Sequence, residues 1–321
     1  MNPLRKAIHV FMESTGLDRR VDAAAVNRRR ELKQARKFST VPNSEGNAWI
    51  AGAIAAGRPS AFGKIGDREC CALAAHLGYR QFYKYTWAAP SYEEAELFQQ
   101  AGVFPPTGET YRQFCDLFLD RLGSLDGCGV WGNPHETKIL ATFAPAARRL
   151  EVQALEPYFF PAPWSAALAG KRVLVVHPFE PSIRSQFAKR TAIWQAAPGV
   201  LPEFDLEVIR SPYGFSNTRF RDWFEMLRWL EQQVEASFRR QRFDVALIGC
   251  GAAGLPLATF AKKLGAIGIH TGGPTQLFFG IRGGRWDRMP EFQRFFNDAW
   301  VRPGPDETPT EAKKVDRGGY W

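Results

Sequence analysis

Two acidic residues, Asp67 and Glu69, are the pair in this 321-residue chain whose type and spacing best suit chemistry. They follow a short apolar run at 61–65 that is typical of a β-strand. In an extended segment, side chains two residues apart lie on the same face. Two carboxylates placed in this way can hold a divalent cation such as Mn²⁺ or Mg²⁺, which would neutralise a diphosphate. The alternative is that both acids lie in the first turn of a helix at 70–77, where the helix dipole favours negative charge.

A glycine-rich stretch follows a later apolar run at 245–249. Its glycines Gly249, Gly251 and Gly254 match G-x-G-x-x-G, a pattern that brings backbone N–H groups and a helix N-terminus against a diphosphate. The stretch lies late in the chain, and no acidic residue follows at the distance needed to bind a ribose hydroxyl, which disfavours a nicotinamide or flavin cofactor. The pattern therefore indicates either an anion-binding turn or a turn in which glycines permit close packing.

Other polar residues follow the remaining apolar runs. We take His177 and Glu180 as candidate catalytic residues, although the sequence alone does not assign a base. A histidine at a strand end is also a common structural residue, and loop arginines are often solvated, so these alternatives stay open. Glycines and guanidinium groups in loops suit the binding of a phosphorylated substrate. The candidates of this kind, beside the three glycines above, are Gly66, Arg68, His270, Gly272, Gly273, Gln276, Arg282 and Arg285.

The elements that must position these residues alternate along the chain. Near-continuous apolar runs are typical of parallel strands covered on both faces, and between them lie amphipathic helical patterns, clearest at 220–240. This alternation predicts an α/β fold with an open, mostly parallel, Rossmann-like sheet and helices on both faces. Such sheets bind ligands at the carboxyl ends of their strands, where the candidate residues lie. The predicted strands are 61–65, 129–131, 172–177, 206–210, 245–249 and 267–270.

Positive charge is concentrated at the start of the chain. Residues 1–37 hold ten Lys and Arg against four acids, a net +6, which leaves +3 of the total +9 for the rest. We predict a basic helical extension at 1–45, an α/β domain at 46–300 and an irregular tail packed on the domain at 301–321. The nearly balanced body disfavours a nucleic-acid partner. Residues 1–40 suit either peripheral contact with an anionic membrane surface or packing against protein.

Several other classes are disfavoured. Five cysteines without a C-x-x-C pair predict buried thiols in place of disulfides or a zinc site. The chain has no G-x-S-x-G, H-E-x-x-H or Walker A motif. It has no apolar stretch long enough to span a bilayer and no signal-peptide pattern. We therefore expect a cytoplasmic protein, with peripheral contact at the inner face of the membrane as an option.

Three segments together resemble the GT-D-type glycosyltransferases and the bacterial GT-D-fold-like proteins. They are F-G-K-I-G-D-R-E at 62–69, the glycine-rich stretch 249–254 and the loop 270–276. The family carries Gly-Asp-Gly-Glu after its first strand, and here Arg68 replaces the central glycine. The resemblance implies a D-x-E motif, Asp67 and Glu69, that engages the metal ion and the nucleotide sugar.

The function implied by the resemblance is a metal-dependent glycosyltransferase of polysaccharide biosynthesis. It would move a sugar from a nucleotide-diphosphate donor, such as a UDP-sugar, to a glycan or glycolipid acceptor. Two alternatives stay open at this point. One is an NAD(P)-binding Rossmann-like oxidoreductase that uses the glycine-rich stretch. The other is a non-catalytic protein that binds a nucleotide or a sugar.

Overall fold

The structure, a computed structural model, describes residues 40–79, 90–216 and 219–321. Residues 1–39, which make up most of the predicted basic extension with its predicted membrane contact, lie outside the described residues. Residues 40–45, which we predicted to belong to that extension, are part of the α/β domain. Val41 forms a parallel bridge with Leu150, and the first described helix begins at Asn43. Within the described residues, no helix is long and apolar enough to cross a membrane.

Seven parallel strands form one sheet, which confirms the predicted α/β class with a Rossmann-like parallel sheet. Their spatial order is β3-β2-β1-β7-β6-β4-β5, so the first and the last of the described strands pair at the centre of the sheet. The strands are β1 (Ser60–Lys64), β2 (Gly127–Val130), β3 (Arg148–Glu151), β4 (Arg172–His177), β5 (Asp205–Arg210), β6 (Val245–Ile248) and β7 (Ile267–His270).

Helices cover both faces of the sheet and enclose two hydrophobic cores. The alternation of β4 shows the division, because Leu174 and Val176 face one core while Val173 and Val175 face the other. The α-helices are α1 (Asn43–Ala56), α2 (Asp67–His76), α3 (Pro90–Ala101), α4 (Gly108–Leu122), α5 (Glu136–Phe143), α6 (Glu180–Phe187), α7 (Arg190–Ile193), α8 (Trp223–Arg240), α9 (Gly254–Leu264), α10 (Thr275–Phe278) and α11 (Pro290–Gln293).

The helix predicted at 220–240 is α8, which begins three residues later than expected. The Asp222 side chain accepts a hydrogen bond from the Glu225 backbone N–H at 2.8 Å and caps the helix there. The apolar stripe of α8, which includes Leu227, Leu230 and Val234, is buried in the same core as α2, α4 and α9. The 3.6-residue period therefore placed the core-facing side of this helix, while the capping residue decided where it starts.

The segment 301–321 runs over the domain as short 3₁₀ turns at Pro305–Glu307, Ala312–Lys314 and Asp316–Gly318. Several hydrogen bonds attach it to the rest of the protein. The Glu307 carboxylate accepts from the backbone N–H of Ser182 in α6 at 3.0 Å. The side chain of Gln276 donates to the carbonyl of Tyr320 at 3.0 Å. This segment therefore reaches the carboxyl edge of the sheet, where the candidate residues lie.

Candidate functional site

Lys64, the last residue of β1, is the centre of the candidate site. It lies on the same face of the strand as the core residue Phe62, and only 6% of its surface is exposed. Its ammonium nitrogen is 4.6 Å from the ring centroid of Trp131, which follows β2. In the part of the chain that the structure describes, no oxygen lies within hydrogen-bond or ion-pair distance of this nitrogen. Burial lowers the pKa of Lys64 to about 8.

Two buried acids interact electrostatically with this ammonium group. Glu156 follows the 3₁₀ turn Val152–Leu155 and accepts a hydrogen bond from the Tyr158 hydroxyl at 2.7 Å. Glu69 lies in the first turn of α2, on the other side of Lys64. Burial raises the pKa of both carboxyl groups, and the charge of Lys64 partly opposes that rise. The two acids therefore attract Lys64 without forming an ion pair with it.

Arg285 supplies a second positive charge, which adds to the lowering of the pKa of Lys64. Its Nη1 lies 3.5 Å from the Tyr320 hydroxyl and 3.6 Å from the Asp316 carboxylate. The Tyr320 ring packs directly on Gly273, where a β-carbon would come within 2.4 Å of it. The segment 301–321 therefore forms one wall of the site.

The loop after β7 passes beside the lysine. Gly272 has a φ of +69°, which favours glycine, and a β-carbon there would lie 3.5 Å from Lys64 Cε. His270 Nδ1 lies 3.2 Å from the Ile248 carbonyl oxygen, so this nitrogen carries the proton. Burial, together with the charge of Lys64, lowers the pKa of His270 to about 3. His270 is therefore a neutral part of the wall at physiological pH.

The metal-site prediction required Asp67 and Glu69 to lie in an extended segment, and in the structure they do not. They are the first and third residues of α2, and residues two apart on a helix point about 200° away from each other. The Glu69 carboxylate folds back onto the helix start, so that a β-carbon at Gly66 would lie 2.1 Å from Oε2. The Asp67 carboxylate is 39% exposed and lies 3.7 Å from Arg68.

These positions do not fit a cation shared by the two carboxylates. The physical reason is the helix dipole, which favours acids in the first turn and holds each of them on the helix surface. Among the described residues there is also no group of three or more His, Cys, Asp and Glu side chains that could hold a metal ion.

The glycine-rich stretch is closely packed against neighbouring elements. A β-carbon at Gly249 would lie 2.6 Å from both His177 and Thr275, and one at Gly254 would lie 2.1 Å from His270. Gly251 has a φ of +60°, and a β-carbon there would lie 2.9 Å from the Ala101 carbonyl oxygen of α3. The Gly249 backbone N–H is already bonded to the Val176 carbonyl at 2.9 Å. The geometry therefore favours close packing as the role of these glycines.

The two candidate catalytic residues do not fit that role. His177 is 2% exposed, and its Nδ1 accepts a hydrogen bond from the Phe179 backbone N–H at 3.1 Å. Burial lowers the pKa of His177 to about 3, which makes it a weak base. Glu180 starts α6 and pairs with Arg184 at 2.9 Å. His177 ends β4 and Glu180 follows it, and β4 is three strands from β1, or about 14 Å at the usual strand spacing.

Three more of the predicted binding residues are occupied by contacts within the protein. Arg282 donates to the Asp287 carboxylate at 2.9 and 3.1 Å and lies over the Phe296 ring. The side chain of Gln276 donates to the Ile281 and Tyr320 carbonyls and connects two segments. Arg68 lies 3.3 Å from Glu96. The structure thus brings together five of the predicted residues around Lys64, namely Glu69, His270, Gly272, Gly273 and Arg285.

No protein-family model, no curated protein and no solved structure matches this chain. The relationship to the GT-D-type glycosyltransferases therefore remains a prediction from the segments at 62–69, 249–254 and 270–276. The functional argument depends on the geometry of the site.

Sequence reasoning missed Lys64, Glu156 and Tyr320. A signal for the lysine was present, because a charged residue interrupts the apolar run F-G-K-I-G just before the acids. A lysine at the end of a strand covered on both faces must bury its stem, and its charge then calls for a partner. No comparable signal marks Glu156 or Tyr320, which lie 92 or more residues away from Lys64 in the chain and reach the site through tertiary packing.

Two spaces lie along the carboxyl edge of the sheet. Beside Glu156 and Thr271 is a cavity of about 10 Å³, which is roughly the room for one water molecule. A wider groove of about 650 Å³ lies at the end of β5, where Arg210, Tyr213 and Trp229 contribute to its lining. Its volume is within the range of ligand pockets. The edge of the sheet therefore has a cavity the size of one water molecule near its centre and a wider groove at the end of β5.

Proposed function

We propose that the protein is a glycosyltransferase that binds a nucleotide-diphosphate sugar at the ends of β1 and β7 and moves the sugar to a glycan or glycolipid acceptor. The observation that carries the proposal is a collection of charged side chains at this edge, three of which are buried. Burying a charge costs several kcal/mol unless it is compensated, so groups of this kind are typical of functional sites. The buried members of this cluster are Lys64, Glu69 and Glu156, and the partly exposed Arg285 lies beside them.

The position of the cluster supports the proposal. In open α/β sheets, ligands bind at the carboxyl ends of the strands, and β1 and β7 lie at the centre of this sheet. Lys64 and Arg285 give two positive charges for a diphosphate. The resemblance of residues 62–69 to the GT-D-type enzymes comes at the same strand end. It leads to a nucleotide sugar as the donor class.

Glu156 is the residue we assign as the general base. Its carboxyl group is buried and its pKa is raised, which brings a carboxylate closer to the pKa that suits proton transfer near neutral pH. In the proposed step the acceptor hydroxyl oxygen bonds to the anomeric carbon and its proton passes to Glu156. The bond from that carbon to the phosphate oxygen breaks, and the nucleoside diphosphate leaves with the electron pair. Lys64 and Arg285 stabilise the charge that develops on the leaving group.

The oxidoreductase alternative has less support. It needs a glycine-rich turn that a dinucleotide can approach, and in residues 249–254 the glycines instead permit contacts with His177, His270 and Thr275. The proposal assigns no shared metal ion to Asp67 and Glu69, because their carboxylates diverge.

The test is a donor panel with purified full-length protein. Nucleoside diphosphate release is measured from UDP-, GDP- and CDP-sugars, with glycan and glycolipid acceptors, in EDTA and in MnCl₂ or MgCl₂. We expect release from one donor class, with at least a hundredfold loss in Glu156→Gln. The matched control is Glu180→Gln, which removes a surface carboxylate beyond β4 and should keep full activity. Saturable binding without release from any donor would contradict catalysis and favour a non-catalytic binding protein.

A further inference from the structure

Lys64 is a buried residue whose ammonium group has no hydrogen bond or ion pair among the described residues. A buried lysine normally forms an ion pair or a hydrogen bond, because an isolated charge in a low-dielectric interior is costly. Within the described residues Lys64 has neither, and its ammonium nitrogen lies 4.6 Å from the centroid of the Trp131 ring. A cation–π contact of this kind contributes only about 1 kcal/mol or somewhat more. Lys64 therefore keeps its hydrogen-bond donors unused, although Glu156 and Glu69 attract its charge from a distance.

The two nearby acids do not act as that partner. Glu69 is turned toward the backbone at the start of its own helix, where Gly66 leaves room for its carboxylate. Glu156 is bonded to the Tyr158 hydroxyl. In these orientations neither carboxylate forms an ion pair with Lys64.

The groups next to Lys64, namely Arg285 and the loop at Gly272 and Gly273, suit an anion with more than one charge. Arg285 adds a guanidinium group, whose planar donors match phosphate oxygens, while an ammonium group acts as a point charge. Gly272 and Gly273 have no side chains, so the loop backbone comes close to Lys64.

We propose that Lys64 binds the phosphate groups of the substrate directly and that this site takes a diphosphate without a divalent cation. The choice of a nucleotide sugar rests on the proposed function, whereas recognition of the diphosphate rests on Lys64 and Arg285 alone. Lys64 and Arg285 would thus neutralise the charge of the diphosphate, which a metal ion held by a D-x-E pair would otherwise do. Binding would also supply the buried ammonium with its missing partner.

The experiment is calorimetric titration of full-length protein with inorganic pyrophosphate in EDTA. We expect saturable binding to the wild type and at least tenfold weaker binding to Lys64→Met. Lys171→Met is the matched control, because it removes the same charge just before β4, at the opposite edge of the sheet, and should bind like the wild type. Lys64→Arg keeps the charge and should bind within severalfold of the wild type.

Thermal unfolding separates binding from folding. Lys64→Met removes a buried, unpaired charge, so its midpoint without ligand should be equal to or above that of the wild type. Pyrophosphate should raise the midpoint of the wild type and of Lys171→Met, but not that of Lys64→Met.

Two results would overturn the inference. One is that the wild type binds pyrophosphate only after MnCl₂ or MgCl₂ is added, a result that the titration of the wild type alone can give. The other is equal binding by Lys64→Met and the wild type. Failure of the proposed function would look different. Pyrophosphate binding would still depend on Lys64, but the protein would turn over no nucleotide sugar.

Discussion

The loops that follow β1 and β6 lie at the same edge of one sheet, yet they differ in what fills them. After β6, the glycines at 249–254 have the spacing of a dinucleotide-binding turn, and protein atoms occupy the space beside each of them. After β1, no known phosphate motif is complete, and the ammonium group of the buried Lys64 has no hydrogen bond or ion pair among the described residues. The loop after β6, which has the stronger motif, is thus filled by packed protein atoms. The loop after β1, which has the weaker motif, instead contains a lysine without a hydrogen bond or ion pair among the described residues.

The loop after β2 extends the comparison. The backbone N–H groups of Trp131, Gly132 and Asn133 converge as they would around an anion, and they donate to the buried Glu136 carboxylate at 3.1, 2.9 and 2.9 Å. The protein therefore supplies its own anion at this strand end. Converging donors or glycines identify a ligand site only where the protein leaves them unsatisfied, and among these three loops that condition holds after β1.

The largest expected effect is on stability at the β6 loop. Gly249→Ala would place a β-carbon 2.6 Å from His177 and Thr275 and 2.8 Å from the Gly272 carbonyl oxygen. Because backbone as well as side chains must move, we expect a loss of about 3 kcal/mol in the free energy of unfolding. Urea denaturation measures it.

The matched control for this prediction is Gly52→Ala. Gly52 is exposed within α1 and has no atom within 4 Å of an added β-carbon, so alanine should stabilise the protein by up to about 1 kcal/mol. If Gly249→Ala is as stable as the wild type, the β6 loop has free space, and the contrast with β1 disappears.

The second effect is the pH dependence of pyrophosphate binding. With a pKa of about 8, lowered by burial, Lys64 is charged below pH 8 and loses its proton above it. Anion affinity should therefore be level below pH 7, fall about twofold between pH 7 and pH 8 and fall about fivefold between pH 8 and pH 9. The charged or titratable groups that face Lys64 are Glu69 from α2, Glu156, His270 from β7 and Arg285.

Lys64→Arg is the reference for this titration, since arginine keeps its proton throughout and the ligand's own ionisation cancels in the ratio. Neither His270, with a pKa of about 3, nor Arg285 changes charge between pH 7 and pH 9. A constant ratio of wild-type to Lys64→Arg affinity from pH 7 to pH 9 would show that Lys64 does not contact the anion.

The smallest effect separates two arginines of one loop. Arg285 points to the Lys64 cluster but its side chain is 44% exposed, so Arg285→Gln should weaken pyrophosphate binding by only about threefold. Arg282 is bonded to Asp287, and Arg282→Gln should leave the affinity unchanged. Equal losses in both variants would mean that the positive charge of the loop acts from a distance, without a specific contact.

The fold was largely predictable because the central strands carry their own signal. Runs such as V-L-V-V-H in β4 and V-A-L-I in β6 are buried on both faces, and period and length identify them. The strand β3 was missed, since Arg148, Arg149 and Glu151 surround the single buried residue Leu150 at an edge of the sheet. An edge strand needs little apolar surface, so its sequence resembles a loop.

The candidate site was predictable only in part. The sequence located the right edge of the sheet and the strand end at 62–69, because strand ends collect polar residues in this fold class. It could not decide whether Asp67 and Glu69 lie in an extended segment or in a helix, since two acids before an apolar helix suit both. The state of Lys64 depends on Glu156, Arg285 and the segment 301–321, and such distant contacts leave no local pattern.

The pairing of Phe62 with Ile269, between the first strand and the last, also governs when the protein acquires its site. During synthesis, the edge of β1 that pairs with β7 stays unpaired until residue 267 and those after it have left the ribosome. Contacts of such long sequence separation form slowly. Until then that edge exposes unpaired N–H and C=O groups to other chains. A fragment that stops before residue 267 can therefore contain Lys64 and α2 and still have no binding site, because the seam between β1 and β7 is where the site is assembled.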